Sequence, residues 1–196
     1  MTQTLNDQQA QRQPEGYGIV TSPGTVRFER VFPGPIERVW SYLTDSEKRG
    51  KWLASGEMEL RVGGRADLFF HHADLSFEKT PPAKFKQIED GFRSSATVTR
   101  YEPPRLLGIT WFESVDQEVT FELFPQDGNV RFVLTHHRIG KADDMANFSS
   151  GWHAHLAMLA DQLNDREPRP FWTNLVALEA DYGKKLQDGE LVAWEG

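Results

Sequence analysis

The sequence predicts an α+β fold: a curved antiparallel sheet closed by a long helix toward the C-terminus. Three observations predict it. Four segments between residues 94 and 138 alternate apolar and polar side chains. Their connections are short, and short connections give antiparallel neighbours. A strand and two short helices precede the run, and a long segment with helical apolar spacing follows it. Strands in a run flanked by helices mean α+β rather than alternating βα units.

Each element has its own signal. Thr25–Phe32 places Val26, Phe28 and Arg30 on one side and Arg27, Glu29 and Val31 on the other. Pro33-Gly34-Pro35 ends that strand, and Pro35 suits the first helical position. Ile36, Val39, Trp40 and Leu43 then follow at helical spacing, and Asp45 is a natural N-cap for a second short helix toward Trp52. Met58–Leu60 and Arg65–His71 read as the arms of a hairpin around Arg61-Val62-Gly63-Gly64. Residues 71–91 carry Pro81-Pro82 and read as a long loop with a partial strand near Lys84–Ile88. Loops of that length tend to serve function.

The four regular strands are Ser94–Tyr101, Leu106–Phe112, Gln117–Phe124 and Val130–Arg138. Parity puts Val98, Leu107, Ile109, Trp111, Val119, Phe121, Leu123, Phe132, Leu134 and His136 on the buried face. Asp143 or Asp144 is expected to cap the long helix, whose stripe is Phe148, Trp152, Leu156, Leu159 and Leu163. Pro168 and Pro170 stop it. Phe171–Leu186 forms a second amphipathic helix. Its stripe either folds back on the domain, the favoured arrangement, or makes a homodimer contact. Trp172 and Trp194 would help dock this extension. The expected organisation is a flexible polar tail over residues 1–23, with Tyr17–Val20 able to dock. A ligand-binding domain over 24–166 and a helical extension over 167–196 follow.

Composition bounds the function. Of 196 residues, 22 are Lys or Arg and 29 are Asp or Glu, for a net charge of −7. That balance argues against a general nucleic-acid binder, which needs clustered cations. No cysteine is present, which excludes disulfides, thiolate metal sites and Cys nucleophiles. No apolar run approaches the roughly 20 residues of a membrane span. The first residues contain no apolar signal core. A cytoplasmic protein with no membrane association is the expectation.

Several segments carry a resemblance. Val26 through Asp45, with Pro33-Gly34-Pro35 at its centre, resembles the opening of the START-like, helix-grip (SRPBCC) superfamily. More narrowly, it resembles the family of homologues of the activator of the heat-shock chaperone ATPase. Trp52-Leu53, Arg61–Gly64, Tyr101–Leu106 with Trp111, Val130–His136, and Gly151-Trp152 with His155, Leu156 and Leu159 match that family in order. The resemblance spans roughly residues 25–166. It implies a sheet gripping a helix over a cavity, in a superfamily that includes lipid and hormone carriers and polyketide cyclases. The co-chaperone's separate N-terminal domain has no counterpart here, so chaperone activation is not transferred.

Six histidines are the candidate polar chemistry. His71/His72 and His136/His137 are adjacent on strands and would point apart. His153 and His155 diverge by about 200° on a helix. No ligand spacing for a metal results, and neither metal nor cofactor is expected. His136 and His155 point inward, either as hydrogen-bonded core groups or as the polar contact of an apolar pocket. The expected function is binding of a small apolar or aromatic molecule between sheet and long helix. Its lining would be Trp52, Leu68, Phe70, Val98, Ile109, Trp111, Phe121, Leu134, His136, Trp152 and His155. A cyclase- or hydrolase-type enzyme using an inward His, and a protein-interaction module, are the alternatives.

Overall fold

The computed structural model describes residues 16–112 and 114–193. Seven strands form one antiparallel sheet in the order β1-β2-β7-β6-β5-β4-β3. They are β1 (Ile19–Ser22), β2 (Thr25–Pro33), β3 (Arg65–Phe70), β4 (Phe92–Glu102), β5 (Leu106–Thr110), β6 (Glu118–Gln126) and β7 (Asn129–His137). The helices are α1 (Ile36–Thr44), α2 (Ser46–Gly50), α3 (Ala142–Leu163) and α4 (Phe171–Gln187). This is the curved sheet and long helix that the strand parity and helical stripe predict.

Register explains the two faces. Val26 pairs with His136 and Phe28 with Leu134 across β2 and β7. Val119 pairs with His136 and Phe121 with Leu134 across β6 and β7. All of these side chains are buried, so the apolar parity of three strands lies on one face, against α3. Between Val98 and Arg100 the β4–β5 register shifts. Such irregularities bend a strand.

Local chemistry sets the helix ends. Asp45 accepts a hydrogen bond from the Lys48 backbone N–H at 2.9 Å, which makes it the predicted cap of α2. For α3 the prediction fails. Its cap position is Lys141, without a side-chain cap, and Asp143 and Asp144 lie within the first turn. There they complement the positive end of the helix dipole.

The N-terminal cap of α4 comes from far away in sequence. Glu78 accepts from the Thr173 backbone N–H at 3.0 Å and from its hydroxyl at 2.6 Å. Ser76 Oγ accepts from the Phe171 N–H at 3.2 Å. The loop thus satisfies helix donors that Pro170 leaves open. An ion pair between Lys84 and Glu179 adds a second tie. Asp161, itself buried, accepts from Arg169 Nε and Nη2, each at 2.8 Å, and from its backbone N–H at 3.1 Å. These bonds fix the turn from α3 into α4. The α4 stripe of Phe171, Leu175, Leu178 and Tyr182 is buried within the chain.

Three further expectations change. Within the stretch 1–23 predicted as a tail, Ile19–Ser22 pairs with β2, while residues 1–15 lie outside the described residues. Next to this strand, Tyr17 donates to Asp181 at 2.6 Å, and the Gly18 N–H donates to Tyr182 at 2.7 Å. The first hairpin arm is reduced to isolated bridges, Ser55 to Phe69 and Met58 to Ala66. Lys84–Ile88 belongs to a 3-10 turn, Ala83–Ile88, rather than a strand. Both edges of β4 are already paired, with β3 and β5, so no partner edge was open to it there. Trp194 lies outside the described residues.

Candidate functional site

A cavity of about 390 Å³ lies at one end of the sheet, where β3 ends, β4 begins and β5 ends. Phe70, Phe92 and Trp111 form its sheet wall, and Phe148, Gly151, Trp152 and His155 its α3 wall. Phe171, Trp172 and Leu175 of α4 close a third side. His72, Phe85 and Ile88 from the 71–91 loop complete it. That loop is therefore a wall of the cavity.

The rings pack in series. Phe70 stacks on Phe92 at 4.7 Å between centroids, and Trp111 lies 4.5 Å from Trp152. On the other side, His72 stacks on Phe171 at 5.1 Å and lies 5.1 Å from Trp172. Phe85, Ile88, Phe112 and Phe148 are only partly buried and make an apolar rim. Gly91 turns the loop into β4 with φ +77°, and a Cβ there would meet the Phe70 carbonyl oxygen at 2.5 Å. Only glycine allows the loop to approach β3 this closely.

Of the eleven residues singled out from sequence, Phe70, Trp111, Trp152 and His155 line the cavity. Trp52, Leu68, Val98, Ile109, Phe121 and Leu134 lie in the packed core away from that lining, and His136 is fully buried but does not line the cavity either. Trp52 donates its indole N–H to the Tyr42 carbonyl at 2.8 Å and meets Phe121 edge-on. His136 Nδ1 accepts from the Trp152 indole N–H at 3.1 Å, so its Nε2–H donates to the side-chain amide oxygen Oε1 of Gln117, also at 3.1 Å. Both ring nitrogens are used, which makes His136 a hydrogen-bonded core group. Burial, with His137 adjacent, pulls its pKa down to about 3.

His155 differs. The Trp52 carbonyl can only accept, so His155 Nδ1–H donates to it at 2.7 Å. Burial lowers the pKa to about 4 against the opposing pull of that hydrogen bond. The ring is neutral near pH 7, and its Nε2 carries a lone pair. His72 is not a strand neighbour of His71: β3 stops at Phe70 and His72 begins a 3-10 turn. Strand parity therefore does not apply to it. His72 is buried on the cavity wall, 5.5 Å from His155. Burial, then the neighbouring His155 and His71, lower its pKa to about 3.

Sequence reasoning missed His72, Trp172, Phe85, Ile88 and Phe92 as wall residues. Phe148 and Phe171 were visible only as members of helical stripes. Among the described residues, no group of three or more His, Asp or Glu side chains could hold a metal ion. No helix there is long and apolar enough to cross a membrane.

Residues 33–164 match the family model of Activator of Hsp90 ATPase homolog 1-like proteins. The chain belongs to this family. A Bordetella parapertussis protein solved by NMR is 43% identical, over 88% of this chain and 91% of that one, with a TM-score of 0.76. CalU16 from Micromonospora echinospora is 19% identical over 83% and 88% of the two chains, with a TM-score of 0.61. The Aha1 dimer from Colwellia psychrerythraea is 16% identical over 71% and 95%, with a TM-score of 0.54. The last two likenesses concern the fold alone. No curated protein matches the chain. For this Activator of Hsp90 ATPase homolog 1-like chain, Phe171, Trp172, Leu175 and Glu179 of the cavity lie beyond the matched span.

Proposed function

We propose that this protein binds a small apolar or aromatic molecule in the cavity between the sheet, α3 and α4. The observation that carries the reading is the cavity itself, about 390 Å³ walled largely by aromatic side chains. Ligand pockets typically occupy roughly 300–1,000 Å³ and are mostly apolar. A solid core of this composition would close such a space, since interiors pack to crystal-like density. Affinity would come from buried apolar area, at roughly 25 cal/mol per Å² before the costs of association.

Gly151 gives a clean test. It lines the cavity from α3, and a Cβ built there meets no heavy atom within 4 Å. Leucine is also a better helix former than glycine, by roughly 0.5–1 kcal/mol. Gly151→Leu is therefore expected to fill the cavity while leaving the fold intact. Titration with the neutral fluorophore N-phenyl-1-naphthylamine should show one site per chain, weakened at least tenfold in Gly151→Leu at an unchanged or higher melting temperature. Absence of binding to the unaltered protein, or equal binding by both, would overturn the reading. Native mass spectrometry of freshly purified protein would reveal a co-purified ligand.

A further inference from the structure

A second, polar pocket of about 530 Å³ lies on the outer face of the sheet and shares no lining residue with the cavity. Val26, His136 and Val119 are buried on the inner face, so their chain neighbours Thr25, His137 and Glu118 carry the outward parity. Arg100, Arg138 and Ser22 join them in the lining.

The charges there are positioned by the fold. Glu118 and His137 are paired directly across β6 and β7. The Glu118 carboxylate accepts from Thr99 Oγ1 at 2.6 Å and pairs with Arg100 Nε at 3.3 Å. Arg100 reaches it across β5, over its pairing partner Gly108. A Cβ at Gly108 would meet Thr99 Oγ1 at 2.6 Å and Arg100 Cγ at 3.0 Å, so glycine opens that path. Arg138 holds φ +61°, a backbone region that favours glycine over a long side chain. Directly after it, the Ile139 N–H donates to the Gly24 carbonyl at 2.9 Å, which ties the end of β7 to the β1–β2 turn. Among the described residues, Arg100 Nη1, the Arg138 guanidinium and the Ser22 and Thr25 hydroxyls make no hydrogen bond or ion pair. Two arginines and one carboxylate line the pocket, a local positive excess on a chain of net charge −7.

Unused donors thus converge from the β1–β2 turn, from β4 and from the end of β7. One guanidinium fork satisfies a flat carboxylate, whereas a tetrahedral phosphate accepts from several directions. We infer that this pocket binds a phosphate group, free or as a small monoester, through Arg100, Arg138, His137 and the hydroxyls of Ser22 and Thr25. Glu118 is a positioning residue that orients Arg100. The inference goes beyond the cavity-binding reading and does not depend on it.

Inorganic phosphate, titrated at pH 7.5 with ionic strength held constant by sodium chloride, is the probe. The Arg138 amide and the His137 ring should shift saturably in NMR spectra, with a dissociation constant near or below roughly 1 mM. Burial holds the His137 pKa below its ordinary value, opposed by Glu118 and Glu122 and reinforced by Arg100 and Arg138; bound phosphate should raise it. Arg138→Gly suits the left-handed backbone and removes the guanidinium. It should weaken phosphate roughly tenfold or more at an unchanged or higher melting temperature. Arg100→Gln should weaken it as well. Arg131→Gln, on the same face but outside the pocket, should leave the affinity within twofold. Tighter binding of glycerol 3-phosphate than of inorganic phosphate would assign the ester and the reverse the free ion, and either sustains the inference. Equal shifts with chloride alone, no saturation by about 20 mM phosphate, or equal affinity in Arg138→Gly and the unaltered protein would overturn it. None of these outcomes bears on N-phenyl-1-naphthylamine binding in the cavity.

Discussion

His72, His136 and His155 are buried and neutral, and this makes the fold acid-sensitive well above the range where carboxylates titrate. Unfolded, each ring returns to the ordinary value of 6.5; folded, they titrate at about 3, 3 and 4. As pH falls below 6.5 the unfolded chain takes up protons that the folded chain refuses, so stability decreases on acidification. The loss continues until the pH reaches the folded values. At pH 5.5 each unfolded ring is about nine-tenths protonated, which removes roughly 1.4 kcal/mol per histidine relative to pH 8. The three together remove about 4 kcal/mol, against a typical domain stability of roughly 5–15 kcal/mol. Half-buried His137, whose pKa burial also lowers, acts in the same direction. Urea unfolding at pH 8 and pH 5.5 measures the difference. His72→Gln should reduce it by roughly 1.4 kcal/mol, because one proton acceptor is lost from the unfolded chain. A difference below about 1 kcal/mol in the unaltered protein, or an undiminished one in His72→Gln, would refute the reasoning.

Asp161→Ala should destabilise the protein by roughly 3 kcal/mol in denaturant unfolding, since it removes a buried acceptor of three hydrogen bonds from Arg169. Truncation after Glu167 should lower the melting temperature and abolish N-phenyl-1-naphthylamine binding. It deletes Phe171, Trp172 and Leu175 from the cavity wall and uncovers α3; unchanged stability and binding would count against the assigned role of α4.

The architecture was legible because period two and period 3.6 are strong signals. Every residue assigned by parity to the inner face of the sheet is buried. The cavity was legible only in part, because parity decides which face a side chain takes but not its depth along the strand. Ile109 and Trp111 share a parity, yet Ile109 lies in the packed core while Trp111 lines the cavity. The same holds for Leu68 and Phe70 on β3. His72 and Phe85 lie in a loop, where no periodicity reports direction. The cap of α4 was illegible for another reason. Glu78 and Thr173 are 95 positions apart, and capping rules read only neighbours along the chain.

The fourth helix partitions the molecule in an unexpected way. The sheet and α3 are sufficient to define the shared scaffold, but the enclosure is finished by an appended piece clamped through Ser76, Glu78 and Lys84. On the proposed cavity-binding function, selectivity would drift by rewriting this helix, without disturbing any strand pairing. Two proteins with near-identical scaffolds and different appended helices would accept different guests.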